Sequence, residues 1–314
     1  MADRTGKKRA KPQSLEIVLP ATSANLGPAF DAAALAFSMY LKVQAVPANE
    51  FSIAARGRDR EICAQTENHV ILTTYREVLQ AEKKLVLPLA LRIENQIPVG
   101  KGCGSSAAAR LAGIALAVHF GRLRWTDTRI VSEAARREHH PDNAAACWLG
   151  GVAIAGISGE GQIQVVNVTP KGKWPLLLAV PNESLPTDDA RRVLPNQYSR
   201  ADAVTNIQNS MLLLAAFLQG RRDLLAAALE DRLHQPYRAS LCPLLPALQK
   251  LAGTRGILGS ALSGAGPSVL VFLDPKSSAN QARMRVRDCL RARGLTAELI
   301  HTEITARGAS RRIR

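Results

Sequence analysis

The 314-residue sequence predicts an α+β fold. Segments with strand and helix patterning are mixed along the chain without the strict βαβ alternation of a doubly wound sheet. Aromatic residues make up only 4% of the chain while Ala and Leu dominate, which argues against an all-β architecture. Apolar residues account for 46%, enough for a full core over a length that allows one large or two moderate domains.

Residues 15–20 and 35–46 read as strands around a turn made by Asn25-Leu26-Gly27-Pro28. A helix near 67–82 and a strand at 89–95 lead into a glycine-rich loop. Behind that loop, Ala107, Leu111, Ile114, Ala115 and Val118 share one face of a helix whose expected N-cap is Ser105. A second helix, about 126–138, delivers the segment Glu138 to Asn143. A short helix over 143–148 then breaks at Gly150-Gly151 into a strand at 152–157. Strands near 162–168 and 175–180 open the second half, followed by an irregular stretch over 182–200. Helices are expected over 201–218 and 221–233, and strands over 257–263 and 268–273 around a Ser-Gly-Ala-Gly-Pro turn. A helix at 276–293 and a strand at 295–303 close the order. No internal repeat interrupts it.

The net charge of +15 is concentrated at the ends. Residues 1–12 carry five Lys/Arg against one Asp, and residues 305–314 carry four Arg and no acid. Basic ends of this kind are expected to be disordered, solvated tails. The moderately basic body suits phosphate and carboxylate ligands. RNA binding is a rival supported by charge alone, since no aromatic stacking pattern accompanies the basic residues. The five cysteines, Cys63, Cys103, Cys147, Cys242 and Cys289, are scattered without a C-x-x-C, as expected for reduced thiols in a cytoplasmic protein. No apolar segment of signal-peptide type follows the basic start, and the apolar runs are too short to span a membrane.

The most informative segment is Pro98-Val99-Gly100-Lys101-Gly102-Cys103-Gly104-Ser105-Ser106-Ala107-Ala108. Alternating glycines let bare backbone N–H groups approach a polyphosphate, and the following helix aims its positive end at the same anion. The segment is neither a Walker A loop, which needs Lys directly before the hydroxyl, nor a G-x-G-x-x-G fingerprint. A plain glycine turn before a core helix is the alternative. Ser105 and Ser106 could cap the helix or serve a phosphate and its Mg²⁺, and Lys101 could lie near the phosphates or in solvent. An acid at a helix C-terminus is electrostatically disfavoured, so Glu138 at the end of the 126–138 helix points to a neighbouring cation.

This loop resembles the phosphate loop of the GHMP kinases, with Cys103 where Leu is usual. Three more segments narrow the resemblance to their homoserine kinase branch. Pro20 to Asp31 is similar to its opening motif, with Ala29 for Gly. Glu138-His139-His140-Pro141-Asp142-Asn143 is similar to its E-G-H-P-D-N segment, with His139 for Gly. Leu262 to Ser268 is similar to the third GHMP motif. The match runs from about residue 15 to residue 303.

The resemblance implies a two-domain GHMP kinase fold: an N-terminal domain like ribosomal protein S5 domain 2 over 14–165, and a ferredoxin-like domain over 166–304, with the active site in the cleft between them. Residues 1–13 and 305–314 are then basic tails. It implies a homoserine kinase using ATP and Mg²⁺ in threonine biosynthesis, with L-homoserine and ATP as partners, no membrane or nucleic acid, and a homodimer among the allowed assemblies. Residues 98–108 would hold ATP, helped by Asn68 at the adenine or ribose. Ser106 and Glu138 would hold the metal. Asn143 would hold the acceptor hydroxyl in place of a base, with Asp142 as the rival base and His140 as a further contact. Arg191, within a T-x-x-A-R segment that starts at Thr187, and Arg238, within His234-Gln235-Pro236-Tyr237-Arg238, would take the carboxylate. Asn25 and Asp31 would take the ammonium, and Gly264 would approach the substrate. A GHMP kinase for another small hydroxy acid or alcohol is the alternative within this class.

Overall fold

The computed structural model describes residues 14–313. Strands β1 (Leu15–Asn25) and β2 (Ala29–Pro47) form an antiparallel hairpin around residues 26–28. Both run further than their alternating ends suggest, because Ala21 to Ala24 and Ala33 to Phe37 are buried on both faces. There follow β3 (Ser52–Gly57), α1 (Arg60–Ala64), α2 (Val70–Ala81), β4 (Leu89–Asn95), α3 (Ser105–Phe120), α4 (Asp127–Glu138), α5 (Asp142–Leu149), β5 (Val152–Ile157) and β6 (Ile163–Val168). Strands β1 to β6 make one six-stranded sheet, with β2 at its centre. The late half of β2 pairs with β4 and the early half with β5, while β1 occupies the other edge throughout. Helix α3 is apolar on nearly every face, since it lies between β1 and the neighbouring helices α2, α4 and α5.

The second half holds β7 (Pro175–Val180), α6 (Thr187–Arg192), α7 (Arg200–Gln219), α8 (Leu225–Ala228), α9 (Gln235–Arg238), α10 (Leu244–Gln249), β8 (Ile257–Leu262), β9 (Val269–Leu273), α11 (Ala279–Arg291) and β10 (Glu298–Glu303). Its four strands pair antiparallel in the order β10-β7-β9-β8. One face packs on Leu244, Leu248, Val286 and Leu290 of α10 and α11. Leu176, Leu178, Leu270 and Phe272 on the other face join a cluster with Phe217, Leu225 and Ala228 of α7 and α8. Cover on both faces explains why β9 is an unbroken apolar run.

Three expectations need correction. The helix expected over 221–233 is a 3-10 turn at Arg222–Leu224 followed by the single-turn α8. It stops because the Asp231 carboxylate accepts the backbone N–H groups of Leu233, His234 and Gln235, starting α9 instead. The stretch 182–200 contains α6. The end of the chain is not a solvated tail over its described part. Thr305 pairs with Ala36 and Gly151, Ala309 is fully buried, and Arg312 lies 4.8 Å over the Tyr40 ring. Gly308 permits this, because a side chain there would collide with the carbonyl of Trp148. The N-terminal tail, 1–13, lies outside the described residues. Among the described residues, no helix is long and apolar enough to cross a membrane.

Candidate active site

The glycine loop crosses from β4 to α3 between the two sheets. Gly100, Gly102 and Gly104 all have positive φ, at 69°, 76° and 71°. Gly102 lies against the 263–266 turn: an added Cβ would collide with the Ser263 carbonyl and come within 2.7 Å of the Gly266 carbonyl. Gly104, pressed on the Thr22 hydroxyl, is the N-cap of α3. Ser105 is therefore the first helical residue, not the cap, and no side chain caps this helix. The first amides of α3 are thus left without a side-chain partner at the mouth of a cleft, where a helix carries its positive end. Cys103 is buried beneath the loop, and burial pushes its thiol up to about 12, so it is a neutral packing group. Lys101 reaches across to the Asn182 carbonyl and does not line the cleft. Pro98 and Ala108 are buried and line neither cavity described here; Ala108 is core.

The cleft brings together Asn25, Asp31, the loop from Gly100 to Ala107 except Lys101, Glu138, His140, Asn143, Thr187, Arg191, Arg238 and Gly264. Residues from six separate segments of the chain therefore converge on one space. At the start of α3, Ser106 Oγ donates to Glu138 Oε1 at 2.6 Å, and Arg110 pairs with the same oxygen. Arg110 is the cation that the acid at the end of α4 called for. His139 closes α4 with φ 66°, the left-handed conformation a glycine would take more readily.

His140 Nδ1 lies 2.9 Å from Asp142 Oδ1. Burial disfavours the charged ring, but the Asp142 carboxylate overrides it and holds the His140 pKa above its ordinary value. Asp142 is 1% exposed, and its Oδ2 has no hydrogen-bond partner among the described residues. The Asn143 side-chain oxygen Oδ1 accepts from the Thr22 hydroxyl at 2.6 Å, which fixes the amide and leaves its Nδ2 hydrogens as donors.

At the other end, Arg191 Nη2 contacts both Asp31 oxygens, at 2.8 and 3.0 Å. Asn25 is braced at both ends: its Oδ1 accepts from Asp31 N–H and its Nδ2 donates to the Gly264 carbonyl. Arg238 is 1% exposed, and burial with Arg191 nearby lowers its guanidinium to about 10, still charged at neutral pH.

Asn68 sits apart from these residues, in a second cavity of about 390 Å³ that shares Gly100, Ser105 and Ser106 with the cleft. Its lining is mostly apolar, from Ile62, Cys63, Val70, Ile71 and Ile93 among others, and the buried Nδ1 of His69 there has no hydrogen-bond partner among the described residues. Thr22, Arg110 and His69 were missed by sequence reasoning. Thr22 lies within the opening motif, the one signal that could have singled it out. Nothing local marks Arg110 or His69.

Two family models match the chain, one for the GHMP kinases N terminal domain over residues 69–151 and one for the GHMP kinases C terminal over 213–292. A homoserine kinase from Solibacter usitatus is 42% identical over 290 residues, covering 92% of this chain and 94% of that protein. One from Synechocystis is 36% identical, covering 95% of this chain and 98% of that protein. Among solved structures, homoserine kinase from Cytophaga hutchinsonii superposes with a TM-score of 0.80 at 21% identity, covering 98% of this chain and 99% of that one. The mevalonate kinase of L. major in complex with R-mevalonate gives 0.68 at 15%, covering 92% and 95%. At these identities the structural matches establish the two-domain fold alone.

Proposed function

The chain belongs to the homoserine kinase family of the GHMP kinases, and on that premise we propose that it transfers the γ-phosphoryl group of ATP to the side-chain hydroxyl of L-homoserine, giving O-phospho-L-homoserine, a step of threonine biosynthesis. The observation that carries this reading is the cleft itself. A positive-φ glycine loop at a helix N-terminus lines one cleft together with an Arg–Asp ion pair and a fixed asparagine amide. An Arg–Asp pair is complementary to a zwitterion: the guanidinium suits a carboxylate and the carboxylate suits an ammonium.

In this reading the amides of residues 100–106 hold the phosphates, and the apolar second cavity takes the nucleobase beside Asn68 and the unpartnered His69 Nδ1. Arg191, Arg238 and Thr187 take the substrate carboxylate. Asp31, braced by Asn25, takes the ammonium. Gly264, with no side chain, lets the substrate approach the turn. The donors at the start of α3 suit magnesium, since Glu138 and Ser106 offer two hard oxygens 2.6 Å apart. Among the described residues no group of three or more His, Cys, Asp or Glu could hold a metal by itself, so phosphate oxygens would complete the shell. When bound, the ion would neutralise charge on the transferring phosphoryl oxygens.

Asn143 positions the acceptor hydroxyl by donating from its amide, and it cannot accept the proton. As the family resemblance implies, the hydroxyl proton passes to the phosphoryl oxygens as the O–P bond forms and ADP leaves. His140, held by Asp142, contacts the substrate beside it. We take the domain boundary to lie between β6 and β7, since the expected division at 165/166 would split β6 away from its β5 partner in the first sheet, and the cytoplasm as the compartment in which the five free thiols stay reduced. A homodimer is compatible with this reading.

The test is a coupled ADP-release assay across homoserine, serine, threonine and mevalonate. Homoserine should give a kcat/KM at least tenfold above the others. Faster turnover of mevalonate, which lacks an ammonium, would overturn the assignment of Asp31 and of the substrate.

A further inference from the structure

We propose that His234 is a positioning residue for the substrate: its neutral ring bridges the Gly27 carbonyl and Arg238, and so sets the orientation of the guanidinium that receives the carboxylate. This rests on the assignment of Arg238 to the substrate carboxylate.

The geometry fixes the chemistry of the ring. His234 is fully buried, with Nε2 2.7 Å from the Gly27 carbonyl oxygen and Nδ1 3.2 Å from Arg238 Nη1. A carbonyl can only accept and a guanidinium can only donate, so Nε2 must carry the proton and Nδ1 must offer its lone pair. One tautomer satisfies both, and it is uncharged. A second proton would turn Nδ1 into a donor facing another donor, beside a cation. Burial, with Arg238 adjacent, pushes the His234 pKa down to about 4 against the opposing pull of Asp231, so the neutral ring persists across the working range. Asp231 Oδ2 lies 3.5 Å from Nε2, further than the Gly27 carbonyl, and its carboxylate is engaged by three backbone N–H groups. The Phe30 ring stacks on the imidazole at 5.2 Å and also lies under Arg238 at 5.3 Å.

Arg238 has few other anchors. Its Nε donates to the Ala190 carbonyl at 2.8 Å, and Nη1 also approaches the Gly264 carbonyl at 3.5 Å. Nη2 has no hydrogen-bond partner among the described residues. The Nδ1 lone pair is thus the closest acceptor for Nη1, and it decides where Nη2 sits. Through Gly27 the same ring ties Arg238 to the turn after Asn25, so the carboxylate and ammonium ends of the site are held at a fixed spacing.

Three variants and one analogue test this. His234→Phe keeps the aromatic packing and removes both polar contacts. His234→Asn places an amide oxygen near the Nδ1 position, and His234→Gln places an amide near Nε2. We expect His234→Phe and His234→Gln to raise the homoserine KM at least tenfold with the ATP KM within twofold of the parent, and His234→Asn to recover most of that loss. With 3-amino-1-propanol, which is homoserine without its carboxylate, kcat/KM of His234→Phe should equal that of the parent. An unchanged homoserine KM, equal behaviour of the Asn and Gln variants, or the same loss on the analogue and on ATP would overturn the proposal. If His234→Phe does not fold, the Asn/Gln comparison decides alone. Arg238→Gln separates the two readings. If it leaves the homoserine KM unchanged, the carboxylate assignment itself falls. If it raises KM while His234→Phe and His234→Gln do not, only the role of His234 falls.

Discussion

Arg191 and Asp31 meet across 160 residues of sequence, and their side chains are 37% and 34% exposed. A pair that open to water contributes little to stability, so its use lies in what can exchange with it. A zwitterionic substrate replaces each partner's contact with one of the same kind. Lysine at position 191 would keep the charge and lose the planar fork. We expect Arg191→Lys to raise the homoserine KM about tenfold, a loss of about 1.4 kcal/mol in substrate binding, with the ATP KM unchanged. Steady-state kinetics with each substrate varied in turn would show it, and an unchanged homoserine KM would remove Arg191 from the site. At this scale the sequence was legible where a motif surrounds the residue. Asn25, Glu138, Asn143 and Arg238 all lie in family-like segments. Thr22 and Arg110 act on Asn143 and Glu138 through contacts 121 and 28 residues apart, which no local pattern encodes.

At the scale of elements, the loop before α3 depends on the turn it touches in the other half of the chain. Ser263 Oγ donates to the Gly102 carbonyl at 2.8 Å, and Gly264 N–H donates to the Ala24 carbonyl at 3.1 Å. Gly102 is where these segments are closest, so Gly102→Ala must both adopt a positive φ and displace two carbonyls. We expect it to destabilise the fold by about 2–3 kcal/mol, from overpacking and backbone strain together. A thermal melt should shift down by several degrees, and the ATP KM should rise with it. A parent-like melting temperature and KM would mean that the loop does not rest on the 263–266 turn as described. Strands β4, β5 and β7 and helices α4 and α7 fall within a residue or so of their sequence-based limits, because each has a clear period and a stop signal. Strand β3 escaped notice: it is a short edge strand, exposed on alternate residues and paired only to β4. The break after α8 escaped because it is made by a side chain, Asp231, taking over backbone donors, and helical periodicity does not register that.

For the whole molecule, the two sheets are joined by more than the cleft. Arg58 at the end of β3 makes a two-pronged ion pair with Glu298 on β10, at 2.7 and 2.8 Å. Leu185 N–H donates to the Gly100 carbonyl at 3.4 Å, and the end of the chain returns across β1 and β2. The basic composition at that end suggested a solvated segment. Gly308, the buried Ala309 and the backbone bridge from Ile313 to Ile17 instead dock it on the first sheet, a fit that charge counting cannot detect. These ties hold the phosphate loop and the Arg–Asp pair at one separation, and that separation is the physical core of the proposed transfer. The most direct measurement is a crystal structure with homoserine and a non-hydrolysable ATP analogue bound together. The account predicts the triphosphate on the amides of residues 100–106, the homoserine carboxylate on Arg191 and Arg238, and the hydroxyl beside Asn143 facing the terminal phosphorus. A nucleotide seated away from that loop, or homoserine bound with its hydroxyl turned from the phosphates, would contradict it.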